Sequence, residues 1–194
     1  MSVHGVENAT FEGFASIPRL KRQCVITEKI DGTNAQVYVA DTGVVLAGSR
    51  NRWLGTEKAD DAFGFGRWVR EHEEELRALG PGRHFGEWWG AGIQRKYGLS
   101  EKRFSLFNVA RWADDRDREK FPLDRPACCH VVPVLRVCDF TVGNVDAELG
   151  LLALEGSRAA PGFMNPEGVV VFHVASGHLY KATLGGDGHK SVKP

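Results

Sequence analysis

The sequence has no apolar run that approaches the ~20 residues a membrane-spanning helix needs. It shows no secretory signal pattern, no internal repeat and no low-complexity linker, so a cytoplasmic protein without membrane contact is expected. Lys and Arg together number 25, as do Asp and Glu, so the net charge is zero. Such a chain does not attract polyanions as a whole, and any surface that binds them must be local.

Cysteine is scarce and lacks the spacing of a metal site. The four cysteines are Cys24, Cys128, Cys129 and Cys138, and no two of them form a C-x-x-C pair. Three of them lie in apolar, strand-like runs. We therefore predict buried thiols in a reducing compartment rather than zinc ligands or disulfides.

The residues that are present have the composition of an ordinary globular protein, with 42% hydrophobic and 10% aromatic residues. The length predicts a single domain over residues 1–194. Strand-like segments dominate, and their connections are too short for repeated βαβ crossovers, which predicts the α+β class with largely antiparallel sheets. The predicted strands are 23–29, 33–40, 44–47, 83–89, 103–112, 131–137, 168–174 and 178–184.

Helical periodicity is clear in one place. Apolar residues recur three and four positions apart over 59–79, which predicts one long helix. A short helix is predicted over 144–154. The first twenty residues are expected to cover one edge of the core. Their apolar residues are Phe11, Phe14, Ile17 and Leu20.

The segment Glu28–Asn34, with the sequence EKIDGTN, lies between two predicted strands. Alternation along an extended backbone places Lys29 and Asp31 on the same side. Gly32 allows the chain to bend close to a bound group. An exposed lysine before an Asp-Gly hairpin turn would also explain these residues when they are taken alone.

Further polar and aromatic residues at strand ends favour a chemical role for that segment. They supply a candidate nucleophile, cations that suit phosphate, isolated carboxylates beside glycines, and an aromatic ring. In chain order they are Lys29 with Asp31, Arg50 with Arg52, Glu87, Phe107, Glu167 and Lys181.

Six segments resemble, in the right order, the motifs of the covalent nucleotidyltransferases, the superfamily of polynucleotide ligases and mRNA capping enzymes. EKIDGTN resembles motif I and is closest to the RNA ligase branch of the nick-sealing phage and RNA-editing kind. The other segments are GSRNR at 48–52 (motif Ia), FGEWWG at 85–90 (III), FSLFNV at 104–109 (IIIa), EGVVVF at 167–172 (IV) and LYKAT at 179–183 (V).

The resemblance implies an adenylation domain of the ligase type and an ATP-dependent RNA ligase that joins 5′-phosphate and 3′-hydroxyl ends. Lys29 would attack the α-phosphorus of ATP, giving a lysyl-AMP and pyrophosphate. Mg²⁺ or Mn²⁺ would be the metal, which Glu167 would help to hold. RNA is the implied partner, with DNA or mixed nicks as alternatives, and a monomer is expected.

The resemblance also implies which residues bind the nucleotide. Phe107 would stack on adenine, and Glu87 would accept a hydrogen bond from a ribose hydroxyl. Glu28 and the Ile30 backbone would read the adenine edge. The full implied set is Glu28, Ile30, Asn34, Arg50, Glu87, Phe107, Glu167 and Lys181.

Two departures from the family pattern bear on function. Motif V of the RNA ligases usually has a second lysine two residues after the first, where this chain has Thr183. Lys190 or Lys193 could replace it. The sequence ends soon after motif V, so we expect no OB-fold or other C-terminal domain. The alternatives are a minimal DNA ligase or other nucleotidyltransferase, and a nucleotide- or RNA-binding module without turnover.

Overall fold

A computed structural model describes residues 10, 12–55, 61–113 and 124–185. Its strands form two sheets, and all pairs are antiparallel except β5 with β6. The four-stranded sheet has the order β7-β1-β8-β9, with β1 at Gln23–Lys29, β7 at Val134–Asp139, β8 at Gly168–His173 and β9 at His178–Thr183. The five-stranded sheet has the order β3-β2-β4-β5-β6, with β2 at Thr33–Val39, β3 at Val45–Ser49, β4 at Gly82–Gly90, β5 at Lys102–Leu106 and β6 at Cys129–Val131. This confirms the predicted fold class.

The chain crosses between the sheets at two places that lie together. Residues 30–32 join β1 to β2, and residues 132–133 join β6 to β7. Ile30 and Val132 both belong to one small buried cluster, which also contains Trp89, Tyr97 and Ala160. Glu28 N donates to the carbonyl oxygen of Pro133 at 3.0 Å. EKIDGTN is therefore a link between two sheets rather than a hairpin turn within one sheet.

Each sheet buries one face under helices. Helices α1 (Phe65–Glu71) and α2 (Glu73–Leu76) contribute Phe65, Val69 and Leu76 to the larger core against the five-stranded sheet. Helix α4 (Val142–Glu155) contributes Leu152 to a second core, against Ile26 of the four-stranded sheet. A short helix α3 spans Val109–Trp112. Among the helices of the described ranges, none is long and apolar enough to cross a membrane.

Three predicted elements are divided in the structure. Of the helix predicted over 59–79, residues 59–60 lie outside the described residues, and α1 begins at Phe65. The helix is interrupted at His72, whose ring Nδ1 is 2.8 Å from the carbonyl oxygen of Trp68, and its last turn is a 3-10 turn. The strand over 103–112 stops at Leu106, because the Asn108 side chain accepts from Arg111 N and starts α3. The strand over 131–137 is broken at Pro133, which lacks the N–H of a ladder bond.

The expected roles of the N-terminal apolar residues and the cysteines have different outcomes. Phe14, Ile17 and Leu20 are 93%, 83% and 70% exposed, so the expectation that they cover the core is wrong. Phe11 lies outside the described residues. All four cysteines are free thiols, with Cys24 and Cys129 buried and Cys128 and Cys138 half-buried.

Candidate active site

A cleft of about 280 Å³ opens where the two sheets meet. It contains four of the predicted site residues, together with three neighbours from the EKIDGTN segment. Its lining consists of Lys29, Asp31, Gly32, Thr33, Asn34, Arg50 and Glu87. The crossing from β1 to β2 is thus the floor of a polar cavity that exposes both an amine and a carboxylate.

Gly32 is required by a close approach of backbone to backbone. A Cβ atom at this position would lie 2.5 Å from the carbonyl oxygen of Trp88 and 2.7 Å from Trp89 Cβ. Its N–H donates to Glu87 Oε1 at 3.0 Å. The glycine therefore brings the crossing against β4 and positions Glu87 beside Lys29.

Glu87 is a buried carboxylate with local donors. Asn34 Nδ2 donates to its Oε2 at 3.1 Å, and β2 and β4 place Asn34 directly opposite Glu87. Burial raises the pKa of Glu87 from 4.5 to about 7, against the opposing effects of the Gly32 N–H, the Lys29 charge and Asn34. The carboxyl group therefore exchanges its proton near neutral pH, in a cleft that also holds a cation.

Lys29 contacts the second predicted carboxylate. Its Nζ lies 2.6 Å from Glu167 Oε2, and the side chains are 24% and 18% exposed. Glu167 immediately precedes β8, whose first residue, Gly168, is opposite Lys29. A side chain at Gly168 would overlap the carbonyl oxygen of Ala182, so this position also needs glycine. The amine is thus held at the mouth of the cleft by an ion pair.

Lys181 lies on the same sheet face as Lys29. Strand β8 lies between β1 and β9. Its Gly168 is opposite Lys29 of β1 and Thr183 of β9, and its Val170 is opposite Thr27 of β1 and Lys181 of β9. Alternation therefore places Lys29, Thr183 and Lys181 on one face. Thr183 shares the row of Lys29, and Lys181 is one row away and exposed. Lys190 and Lys193 lie outside the described residues.

Phe107 lies outside the lining of the cleft but on the sheet face that carries Glu87. Its N–H donates to the carbonyl oxygen of Phe85 at 2.9 Å, and its side chain is 41% exposed. Phe85 is two residues before Glu87 on β4 and therefore shares its face. The ring is accessible to a flat ligand that extends from the cleft along this face.

The Glu28 carboxylate corrects one expectation. It is 1% exposed and accepts from Ser157 Oγ at 2.5 Å, from Arg158 N at 2.8 Å and from Ala159 N at 2.9 Å. A carboxylate saturated in this way is not available to read adenine, and its role is to fix the segment 157–160 against β1. The Ile30 side chain is buried in the cluster that also contains Trp89, Tyr97 and Val132. At positions 28 and 30, only backbone atoms therefore remain for base recognition.

Two residues that sequence reasoning assigned no role hold the crossing in place. Tyr97 Oη accepts from Asp31 N at 2.8 Å. Arg95 Nε donates to Asp31 Oδ2 at 2.9 Å, and its Nη1 donates to Asn165 Oδ1 at 2.9 Å. The loop has positive φ angles at Gln94, Lys96 and Tyr97, a kind of strain that clusters at functional sites. The unusual Arg-Lys-Tyr loop was the available signal, but its partners are distant in sequence.

The described side chains do not form a metal site by themselves. Within these residues, no group of three or more His, Cys, Asp or Glu side chains is arranged to hold a metal ion. Glu87 and Glu167 nevertheless present carboxylates around Lys29. Mg²⁺ is commonly bound by one or two carboxylates together with substrate phosphates. The donor set therefore fits a metal that arrives with a phosphorylated ligand.

Solved structures of Naegleria gruberi RNA ligase mutants share this fold. An apo mutant aligns with TM-score 0.59 at 20% identity, covering 83% of this chain and 49% of that chain. A mutant with ATP and Mn aligns with TM-score 0.58 at 20% identity, covering 83% and 48%. A mutant with AMP and Mn aligns with TM-score 0.59 at 19% identity, covering 83% and 49%. The present chain thus spans about half the length of these proteins.

No match was found among curated proteins. A sequence profile described as RNA ligase matches residues 22–183, which is most of the chain and includes both sheets. The chain therefore belongs to the RNA ligase family.

Proposed function

We propose that the protein is an ATP-dependent RNA ligase that joins 5′-phosphate and 3′-hydroxyl ends through a lysyl-AMP on Lys29. The observation that carries this proposal is the position of Lys29, which lies in a polar cleft beside Glu87 and Asn34 and contacts Glu167 at 2.6 Å. The similar Naegleria gruberi structures with ATP or AMP and Mn support the same choice of nucleotide and metal.

In the first step, Lys29 Nζ forms a bond to the α-phosphorus of ATP, and the bond from that phosphorus to the bridging oxygen breaks. Pyrophosphate leaves with the electron pair, and the proton of the amine would pass to Glu167, whose Oε2 lies 2.6 Å from Nζ. A free lysine is protonated at neutral pH, so the amine must lose a proton before it can attack. Glu167 Oε2 is the carboxylate nearest to that proton and holds the amine in a fixed position.

The remaining site residues would each bind a different part of the nucleotide. Arg50 and Lys181 would offset the charge that develops on the phosphates. Glu87 and Asn34 would bind the ribose hydroxyls, since they lie together on the floor of the cleft. Phe107 would stack on the adenine, an interaction worth roughly 1–3 kcal/mol per base. Backbone atoms of Glu28 and Ile30 would recognise the edge of the base.

Mg²⁺ or Mn²⁺ would be held by Glu167 together with the phosphate oxygens of ATP, and when bound it supplies charge neutralisation at those oxygens. AMP would then pass from Lys29 to the 5′-phosphate of an RNA. The 3′-hydroxyl of a second RNA end would then attack that 5′-phosphate and displace the AMP. Both later transfers use the same phosphate-binding cations.

Incubation with α-labelled ATP and a divalent metal tests this proposal. We expect covalent label on the wild-type protein and none on Lys29→Ala or Lys29→Arg, with unchanged folding of both variants. Label on Lys29→Ala would overturn the assignment of the nucleophile. Absence of label on the wild type would indicate a binding module without turnover.

Two comparisons define the substrates. Labelled GTP at the same concentration should give far less adduct than ATP, and equal labelling would contradict an adenine-specific site. RNA, DNA and mixed nicks with 5′-phosphates should then be offered to the labelled enzyme. Preferential sealing of RNA ends is expected, and exclusive sealing of DNA would favour a minimal DNA ligase.

A further inference from the structure

The sheet face that carries Glu87 continues beyond the cleft into a second group of side chains, which we call the aromatic patch: Tyr38, Trp53 and Arg83. The Arg83 guanidinium lies 5.2 Å from the centroid of the Tyr38 ring and 5.1 Å from that of Trp53. The two rings are 5.9 Å apart and inclined at 51°. The patch is therefore a preformed combination of π faces and a cation.

Strand register places the aromatic patch and the cleft on one face. Along β2 and β4 the opposed pairs are Asn34 with Glu87 and Tyr38 with Arg83. Alternation puts Asn34 and Tyr38 on the same side. Val37, whose side chain is on the other face of β2, is fully buried in the larger core. The face that carries Asn34 and Tyr38 is therefore the open one. Trp53 reaches the open face by a bridge to Gly48 at the end of β3.

The patch lies a defined distance from Asn34, which lines the cleft. Tyr38 is four residues beyond Asn34 on one strand, which corresponds to about 13 Å. A stacked polynucleotide strand advances about 3.4 Å per nucleotide. In a strand whose terminal nucleotide is in the cleft, the nucleotide about four positions from that end would therefore lie at the aromatic patch.

Exposure and charge indicate what kind of partner fits. Trp53 is 44% exposed, and Phe85, on the same face between cleft and patch, is 53% exposed. Arg83 donates to Gln36 Oε1 at 3.0 Å, and it pairs with no carboxylate among the residues the structure describes. A cation that has no acidic partner within the described ranges, stacked on exposed rings, is complementary to a nucleobase next to a phosphate.

We propose that the aromatic patch binds a base and adjoining phosphate of the RNA strand, about four nucleotides from the end held in the cleft. This inference rests on the proposed function and adds a binding surface outside the adenylylation site. Trp53 and Tyr38 would supply the stacking surface, and Arg83 the phosphate contact.

A series of RNA strands of two to eight nucleotides tests the proposal in the full chain. Each length is prepared as a 5′-phosphate donor and as a 3′-hydroxyl acceptor, and its equilibrium binding is measured. For wild type we expect affinity to rise steeply once one of the two series passes about four nucleotides. Trp53→Leu should lose this rise, weakening long RNA by about 5- to 150-fold, which is the range for one stacked base.

Matched variants separate stacking from simple apolar contact. Trp53→Phe retains an aromatic face and should retain the length dependence. Arg83→Gln should lose part of the length dependence, and Arg83→Lys should lose a smaller part. Tyr180→Leu is the control, because Tyr180 is an aromatic residue that is also 50% exposed but lies away from the patch. It is in the four-stranded sheet, on the face opposite to that of Lys29. RNA binding by Tyr180→Leu should equal that of wild type.

Three outcomes would overturn the proposal: unchanged binding of long RNA by Trp53→Leu, equal losses for short and long strands, or equal behaviour of the Leu and Phe variants. Covalent labelling by ATP without RNA is measured in parallel and should be the same in all these variants. A wild type that binds RNA with this length dependence but takes no label would refute the proposed ligase activity and leave the patch intact. A wild type that takes label but shows no length dependence would refute the patch alone.

Discussion

At the scale of single residues, Glu87 brings an ionisable group into a buried position beside the cleft. Its pKa is raised from 4.5 to about 7, chiefly by burial. The folded state therefore binds this proton more tightly than the unfolded chain does. The contribution of Glu87 to stability is full below pH 4.5 and is lost as the pH rises through about 7.

Glu87→Gln should consequently stabilise the protein at higher pH. We expect the unfolding free energy of wild type, relative to the variant, to fall by on the order of 3 kcal/mol between pH 4.5 and pH 8. Urea titrations at several pH values measure this difference. Glu71→Gln, at an exposed position, is the matched control. A constant difference between wild type and Glu87→Gln would contradict the raised pKa.

Lys181 and Thr183 are the motif V positions at which we expect the charge that faces bound phosphates to be set. If Lys181 is the main cation of this sheet face, Lys181→Ala should lower the adenylylation rate by an amount equivalent to about 2–5 kcal/mol. Thr183→Lys, which adds an amine on the row of Lys29, should raise it. Lys21→Ala, at an exposed position, is the control. Full adenylylation by Lys181→Ala would show that other cations suffice.

At the scale of elements, Arg95 connects the two segments that carry Lys29 and Glu167. Its guanidinium binds Asp31 after β1 and Asn165 before β8. Arg95→Lys keeps the charge but loses the planar fork that spans both partners. We expect a roughly 10- to 100-fold lower adenylylation rate at saturating ATP, a loss that small misplacements of reacting groups can produce.

Stability distinguishes this positioning role from a structural one. Arg95 and Asp31 are 30% and 28% exposed, and ion pairs of this kind contribute at most about 1 kcal/mol. Arg95→Lys should therefore unfold at nearly the same urea concentration as wild type. Arg103→Lys, which affects the ion pair with Glu101, should leave the rate unchanged. A rate loss fully explained by unfolding would contradict the positioning role.

The elements also show which parts of the structure could be predicted from sequence. Strand β1 and the hairpin of β8 and β9 were predicted to within one residue, because short apolar runs rich in β-branched residues mark β1 and β8, and a Ser-Gly turn separates β8 from β9. The break in the helix at His72 could not be predicted, since the apolar periodicity runs through it. The interruption accompanies a contact between the His72 ring and the carbonyl oxygen of Trp68.

The site follows the same rule. Lys29, Asn34, Arg50 and Glu87 were predicted as site residues from short motifs at strand ends, and the structure brings these four together in the lining of one cleft. Arg95 was not found, because its partners are 64 and 70 residues away in sequence. The carboxylate of Glu28 was assigned to the wrong partner for a related reason. Nothing in its neighbouring sequence shows that segment 157–160 folds back onto it.

At the scale of the whole molecule, the net charge is zero, so the proposed binding of RNA would depend on local cations rather than on overall charge. Arg50, Arg83 and Lys181 would neutralise about three phosphates. For single strands each contributes a slope of about −0.7, so log affinity against log salt should have a slope of about −2.

Titrations of RNA binding between 50 and 200 mM KCl measure that slope, which corresponds to a loss of about 15-fold. Arg83→Gln should reduce the slope by about 0.7. A slope of −5 or steeper would show that many more basic residues contact the strand than these three.

The crossing from β1 to β2 also has a consequence for the order of events in folding. Each sheet has its own core, and Lys29, the proposed nucleophile, belongs to one sheet while Glu87 and Asn34 belong to the other. Either sheet can form its hydrogen bonds before Glu87 and Asn34 come to lie beside the amine, whereas Glu167 immediately precedes β8, in the sheet of Lys29 itself. During refolding from urea, the capacity to take up AMP should therefore return later than the circular dichroism of the strands, and Lys29 would report the docking of the two sheets. Simultaneous recovery of both signals would mean that the sheets form and dock in a single cooperative event.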